Sequence, residues 1–172
     1  MRYLSTVWYA LIIFFVLPSC KTDEDSTFIK PLAPIYDSFV DSRDRRVYST
    51  VTLWHQTWMA ENLKYIPGIG KVDSQRLIQD YRVYGYEGLF SEMTLTEHFE
   101  NFGVLYSFES ALESCPRGWR LPRTTDWESL FRSLGEASPG LIKSDIFWDS
   151  GLKGNNKSGM NILPGGSYYF IS

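Results

Sequence analysis

Cys115-Pro-Arg-Gly-Trp-Arg-Leu-Pro-Arg-Thr-Thr-Asp-Trp-Glu128 is the stretch whose reading decides the fold. Pro116 and Pro122 each fix their own φ and push the preceding residue toward an extended conformation. Gly118 permits a sharp bend between them. Thr125 and Glu128 stand in capping-box spacing, and Trp127, Leu130, Phe131 and Leu134 then recur at helical intervals up to Gly135. The stretch therefore predicts a helix end, a short extended segment and a new amphipathic helix. Nothing in it is overtly catalytic.

Upstream, residues 106–114 predict a helix with Leu105, Phe108 and Leu112 in one stripe and Ala111 beside it, ended by Pro116. Further back, residues 46–54 alternate as a strand. Val47, Ser49, Val51 and Leu53 lie on one face, and Tyr48, Thr50, Thr52 and Trp54 on the other. A turn at His55 and Gln56 leads to a shorter strand within residues 56–62, and residues 82–86 carry alternating aromatics. Residues 93–102 are ambiguous, with Thr94 or Thr96 as the cap of a short helix. Pro139 opens a helical turn over 138–144, and the Gly/Asn-rich residues 151–159 predict a loop. The chain closes on Gly165-Gly-Ser-Tyr-Tyr-Phe-Ile-Ser172, which reads as the start of a strand.

A chain of 172 residues is expected to form one domain. Its net charge of −3 and lack of a dense Lys/Arg cluster argue against a nucleic-acid partner. Aromatic residues make up 16 % of the chain, enough for a ring-rich core with some rings left for recognition.

At the start, Arg2 precedes an apolar run over 7–17 that ends at Pro18-Ser-Cys20. The run is short for a membrane span, which needs roughly 20 apolar residues. A basic residue, an apolar stretch and then small or turn residues form the layout of a secretory signal over residues 1–19. Leu17-Pro-Ser-Cys20 resembles a bacterial lipobox, with Pro18 in place of the usual small residue. The resemblance implies lipidation of Cys20 and a membrane partner reached through that anchor. Lys21-Thr-Asp-Glu-Asp25 is similar to the signal that sends some lipoproteins to the outer surface, and it also fits a solvated linker. Residues 20–40, with Pro31 and Pro34, predict a flexible tether or a leading edge segment.

Six blocks then carry a wider resemblance. They are Asp41-Ser-Arg-Asp-Arg-Arg-Val-Tyr-Ser-Thr-Val51, Gln56-Thr-Trp-Met-Ala-Glu-Asn-Leu63, Gly103-Val-Leu-Tyr-Ser-Phe-Glu-Ser-Ala111, Cys115-Pro-Arg-Gly-Trp-Arg-Leu-Pro122, Trp127-Glu128 and Ser158-Gly-Met-Asn-Ile-Leu-Pro-Gly-Gly166. In order and spacing they resemble the Fibrobacter succinogenes major paralogous domain, over residues 41–172 of this chain. The resemblance implies an α+β, C-type-lectin-like fold: a small antiparallel sheet, two helices and long irregular loops. It also implies a place in secreted proteins or lipoproteins. Family members continue for roughly another fifty residues, so the C-terminal strands are expected to be missing and the domain incomplete. Cys115 resembles the cysteine that would pair with one in that continuation, which implies an unpaired thiol here. Two departures stand out. Arg123 occupies the place of a small capping residue, and residues 71–100 are longer than the family pattern.

Candidate chemistry is sparse. Cys115 with His55 or His98 lacks any spacing that specifies a nucleophilic dyad. Asp23-Glu24-Asp25 and Asp41 with Asp44 lack calcium-loop spacing, and no His/Cys cluster suits zinc, so no metal or cofactor is expected. Glu109 and Glu113 predict a solvated helix face, and Trp148-Asp149 a core ring beside a surface acid. The expectation is a non-catalytic binding or structural domain on the bacterial outer membrane. Trp54, Trp58, Tyr84, Tyr86 and Tyr168 are its candidate contacts to a glycan or protein. Alternatives are an enzyme related to the formylglycine-generating fold, which would need a reactive Cys115 thiolate, and a truncated paralogue without independent function.

Overall fold

A computed structural model describes residues 33–67 and 80–167. Cys20, the leader expected over residues 1–19 and Tyr168 lie outside the described residues.

Three strands, β1 (Ile35–Val40), β2 (Val47–Leu53) and β3 (Gln56–Met59), form an antiparallel meander in the order β1-β2-β3. Val40 faces Val47 across the first connection, and Leu53 faces Gln56 across the second. The first connection is held by Asp41, whose buried carboxylate takes Nε of Arg43 at 2.9 Å and Nη2 at 2.6 Å. The second is the two-residue turn Trp54-His55, with Trp54 at φ 57°. A second sheet pairs β4 (Tyr81–Arg82) with β5 (Leu105–Tyr106).

Five short helices complete the described chain. They are α1 (Phe90–Met93), α2 (Glu97–Phe102), α3 (Phe108–Ser114), α4 (Thr124–Leu134) and α5 (Ser138–Ile142). The architecture is therefore α+β, with two small antiparallel sheets where one was expected and five helical segments where two were expected. α3 and α4 are the two helices expected in full, α5 matches the helical turn expected over 138–144, and α2 lies in the segment read as ambiguous over 93–102. Among the described residues no helix is long and apolar enough to cross a membrane.

Two apolar clusters make the core. In one, Val51, Leu53 and Ala60 of the first sheet region receive Leu130 of α4, Ile142 of α5 and Met160. In the other, Tyr81, Val83 and Val104 pack with Met93, Phe99 and Ile66. β2 is buried on both faces. Tyr48 and Thr50 are covered on one face, and Val51 and Leu53 on the other. The predicted alternation is present, but the covered face changes along the strand.

Several local expectations are corrected. The sheet begins at Ile35, inside the residues read as a tether or leading edge segment, so the edge alternative matches. The second strand ends at Met59, and only Tyr81 and Arg82 pair near the aromatic run at 82–86. Thr96 caps α2, its Oγ1 accepting from Phe99 N at 3.1 Å. The Thr125/Glu128 capping box does not form. The helix starts two residues earlier than a Thr125 cap would place it, at Thr124 with Arg123 as the cap, and the Asp126 carboxylate accepts from the Arg123 backbone N–H at 2.7 Å.

On α3 the predicted apolar stripe points outward. Phe108 and Leu112 are 68 % and 55 % exposed, while Ser110 and Ser114 are buried. Small side chains let the helix backbone approach its neighbours closely, at the expense of Ser114 Oγ, which is buried without a hydrogen-bond partner.

Candidate functional site

The quoted stretch forms one wall of a groove of about 700 Å³. After α3, Cys115 turns extended (φ −60°, ψ 130°) ahead of the buried Pro116. Trp119 N then donates to Pro116 O at 2.9 Å, with Gly118 at φ 87° supplying the left-handed position of the turn. The Trp119 ring lies 4.8 Å from Phe39, which stacks at 5.4 Å on Tyr48, so the turn is pinned to the first sheet by three rings. Arg43 Nη1 adds a long bond to Cys115 O at 3.4 Å.

Beyond the turn, Arg120 makes a two-pronged contact with Asp126, Nη1–Oδ2 at 2.5 Å and Nη2–Oδ1 at 2.8 Å. That guanidinium, with the Arg123 N–H, holds the Asp126 carboxyl well below the usual carboxylate range. The charge pair fastens the extended segment to the first turn of α4.

The groove is bordered by β3, by residues 104–106, by this wall and by residues around Met160, Ile162 and Gly165. Trp58 and Trp127 meet within it at 4.8 Å, and Trp127 continues to Phe131 at 5.9 Å. Trp58 Nε1 is buried without a partner. Gln56 Nε2 reaches Asp126 O at 3.3 Å, and Asn62 Nδ2 donates to Phe102 O at 2.9 Å. Aromatic walls with a few fixed amides suit recognition of a partly apolar ligand.

The sequence-predicted contacts scatter. Trp58 lines the groove, whereas Trp54 sits at the hairpin turn against His55, 6.0 Å between rings. Tyr84 is 43 % exposed and packs edge-on to Phe102 at 5.1 Å. Tyr86 is half-buried against the second cluster, its hydroxyl donating to Leu89 O at 3.3 Å. Trp119 and Trp127, which the sequence reading did not single out as contacts, stand in the groove wall, Trp127 also packing against the first core cluster. The signal that could have found them is their position on either side of Pro122, where the chain cannot close into a regular element.

Cys115 carries a free thiol that donates to Ala111 O at 3.4 Å, and burial pushes its pKa up. An activated nucleophile needs the opposite shift. His55 and Cys115 both line the groove, with no hydrogen bond between them, and His98 packs near Phe102 at 6.2 Å. Glu109 and Glu113 are exposed on α3 as expected, and Trp148 Nε1 donates to Ile162 O at 2.9 Å beside an exposed Asp149. Among the described residues no three His, Cys, Asp or Glu side chains converge as a metal site would.

No curated protein and no solved structure matches the chain. A family model does, that of the Fibrobacter succinogenes major domain, over residues 51–172. The match begins within β2, at Val51, and takes in β3, the residues that border the groove and the wall built on Trp119. The chain belongs to the Fibrobacter succinogenes major domain family.

Proposed function

We propose that the chain is a non-catalytic binding module of C-type-lectin-like arrangement, anchored in the outer membrane by acyl chains on Cys20 once residues 1–19 are removed. Its ligand, a glycan or a protein, occupies the groove beside β3. The observation that carries this reading is the convergence of Trp58, Trp119 and Trp127 on one groove of about 700 Å³. Rings of this kind give large contact area at low entropy cost. The raised Cys115 pKa supports binding over the rival thiolate chemistry.

The test is an array of bacterial and host glycans and surface proteins probed with the purified chain. A ligand of this site binds at least about tenfold more weakly to Trp127→Ala, a change of about 1.4 kcal/mol. Ligands that bind Trp127→Ala and Trp58→Phe as well as they bind the wild type overturn the groove assignment. The anchor is tested separately, because Cys20→Ser must abolish incorporation of labelled palmitate and release the chain from membranes.

A further inference from the structure

Building on the binding-module reading, we infer that the groove is a strand acceptor: an extended segment of a separate polypeptide enters it and pairs with the free edge of β3. β3 is the last strand of its sheet. Ala60 N donates to Ser49 O at 2.8 Å, so that pair is of the hydrogen-bonded kind. Antiparallel pairs alternate, which makes Val51 with Trp58 and Leu53 with Gln56 the next two such pairs. Thr57 and Met59 therefore direct their N–H and C=O groups away from β2.

Those groups face the groove. Successive strand residues point to opposite faces, yet Gln56, Thr57, Trp58 and Met59 all border the same cavity. A cavity touched by four consecutive residues meets the strand edge-on. The second sheet shows the same geometry. Ser107 N donates to Asp80 O at 2.9 Å, so Leu105 pairs inward with Arg82, and Tyr106 turns its main chain outward. Val104 also turns outward, and its N–H is already used on Leu63 O at 3.0 Å. Residues 104, 105 and 106 all border the groove as well. One cavity thus receives the free edge of β3 and the outward main chain of Tyr106, the edge of β5 being closed at Val104 by Leu63.

Charge selects the occupant further. Arg120 and Asp126 neutralise each other at the rim, and Glu61 is engaged by Lys64 and by the Ser49 N–H. What remains for a guest is main-chain donors and acceptors repeating about every 7 Å, flanked by Trp58 and Trp127. A neutral extended peptide with alternate apolar side chains matches that pattern. A sugar has no such repeat of donors and acceptors. This is the chemistry of strand addition, in which the main chain supplies affinity and flanking pockets supply selectivity.

The test uses the full chain and the probe peptide acetyl-Thr-Val-Thr-Val-Thr-Val-Thr-amide. At saturation, hydrogen exchange of the Thr57 and Met59 amides slows by about tenfold or more, and amides of α5 do not change. Thr57→Pro removes one outward N–H while sparing the ladder to β2, and it weakens the peptide by about tenfold. If that variant fails to fold, exchange in the wild type decides alone. Absence of binding up to about 1 mM peptide overturns the inference, as does binding without protection at Thr57 and Met59. Protection of those amides in a peptide-free dimer also overturns it, because the occupant is then a second copy. A glycan that binds the groove while the peptide does not sinks strand addition and leaves the binding-module reading standing.

Discussion

Tyr48→Phe separates two contributions of one buried hydroxyl. Tyr48 is 1 % exposed at the centre of the sheet, its ring stacked on Phe39. Its hydroxyl accepts from the Lys64 backbone N–H at 3.1 Å. Phenylalanine keeps the ring and leaves that N–H without an acceptor, so at pH 7 the variant loses about 1–2 kcal/mol. Burial also pushes the phenol up to about 12, above its ordinary 10. A raised pKa means that the folded chain binds the proton more tightly, so this stabilisation is full below pH 10 and is lost as pH rises toward 12. Two units correspond to about 3 kcal/mol lost by the wild type and not by the variant.

The two stability profiles must therefore converge above pH 10 and cross before pH 12. Tyr106 is shifted upward too, chiefly by burial, but it is present in both proteins and largely cancels in the difference. Urea unfolding followed by tryptophan fluorescence at pH 7, 9, 10.5 and 11.5 provides the curves. A difference that stays constant from pH 7 to 11.5 refutes the argument that burial keeps this phenol neutral.

Gly103→Ala and Gly118→Ala form a pair. Gly103 has φ 66° and ψ −146°, and a Cβ there would lie 2.8 Å from both Asn62 Cβ and Leu63 O, whereas Gly118 at φ 87° has open space. Backbone strain costs both about 1–3 kcal/mol, and the clash makes Gly103→Ala the worse, with a midpoint lower by roughly 5–10 °C in a thermal melt. Equal melting points for the two variants would contradict the packing described around Asn62. Asp41→Asn leaves Arg43 without its counter-charge and costs about 3 kcal/mol near pH 7. The Arg43 hydrogen bonds lower the Asp41 pKa, so its share of stability is present above the ordinary carboxylate range and is lost as pH falls through the lowered value. The gap between variant and wild type in urea midpoints therefore closes in acid, and a gap that widens there would count against the pairing.

The sequence made the elements legible where one face is consistently covered. α4 follows its apolar spacing around Leu130, and β2 follows its alternation even though the covered face switches midway. β1 was legible only as one of two alternatives, because it lies at an edge with nearly every residue exposed and no period-two burial marks it. α3 misled because proximity, not hydrophobicity, chose its inner face: serines fit where Phe108 and Leu112 could not. The cap of α4 was misassigned because Arg120, three residues upstream of the helix cap, recruits Asp126 to the N-terminal turn. The groove could not be read in advance. Trp58 lies roughly sixty residues before Trp119 and Trp127, and it is tertiary contacts, among them the Trp119–Phe39–Tyr48 stack and the Gln56–Asp126 hydrogen bond, that bring it beside them.

The meander described at the outset also sets an order in time. β1, β2 and β3 are joined by one short loop and one two-residue turn, so every rung of that ladder links near neighbours in the chain. Contacts of low sequence separation close fastest because little loop entropy is lost in making them. The Trp58–Trp127 contact spans a much longer loop and waits for α4 to arrive. Folding therefore completes the sheet first and its ring-lined wall last, so that the groove is the youngest part of the molecule each time the chain folds.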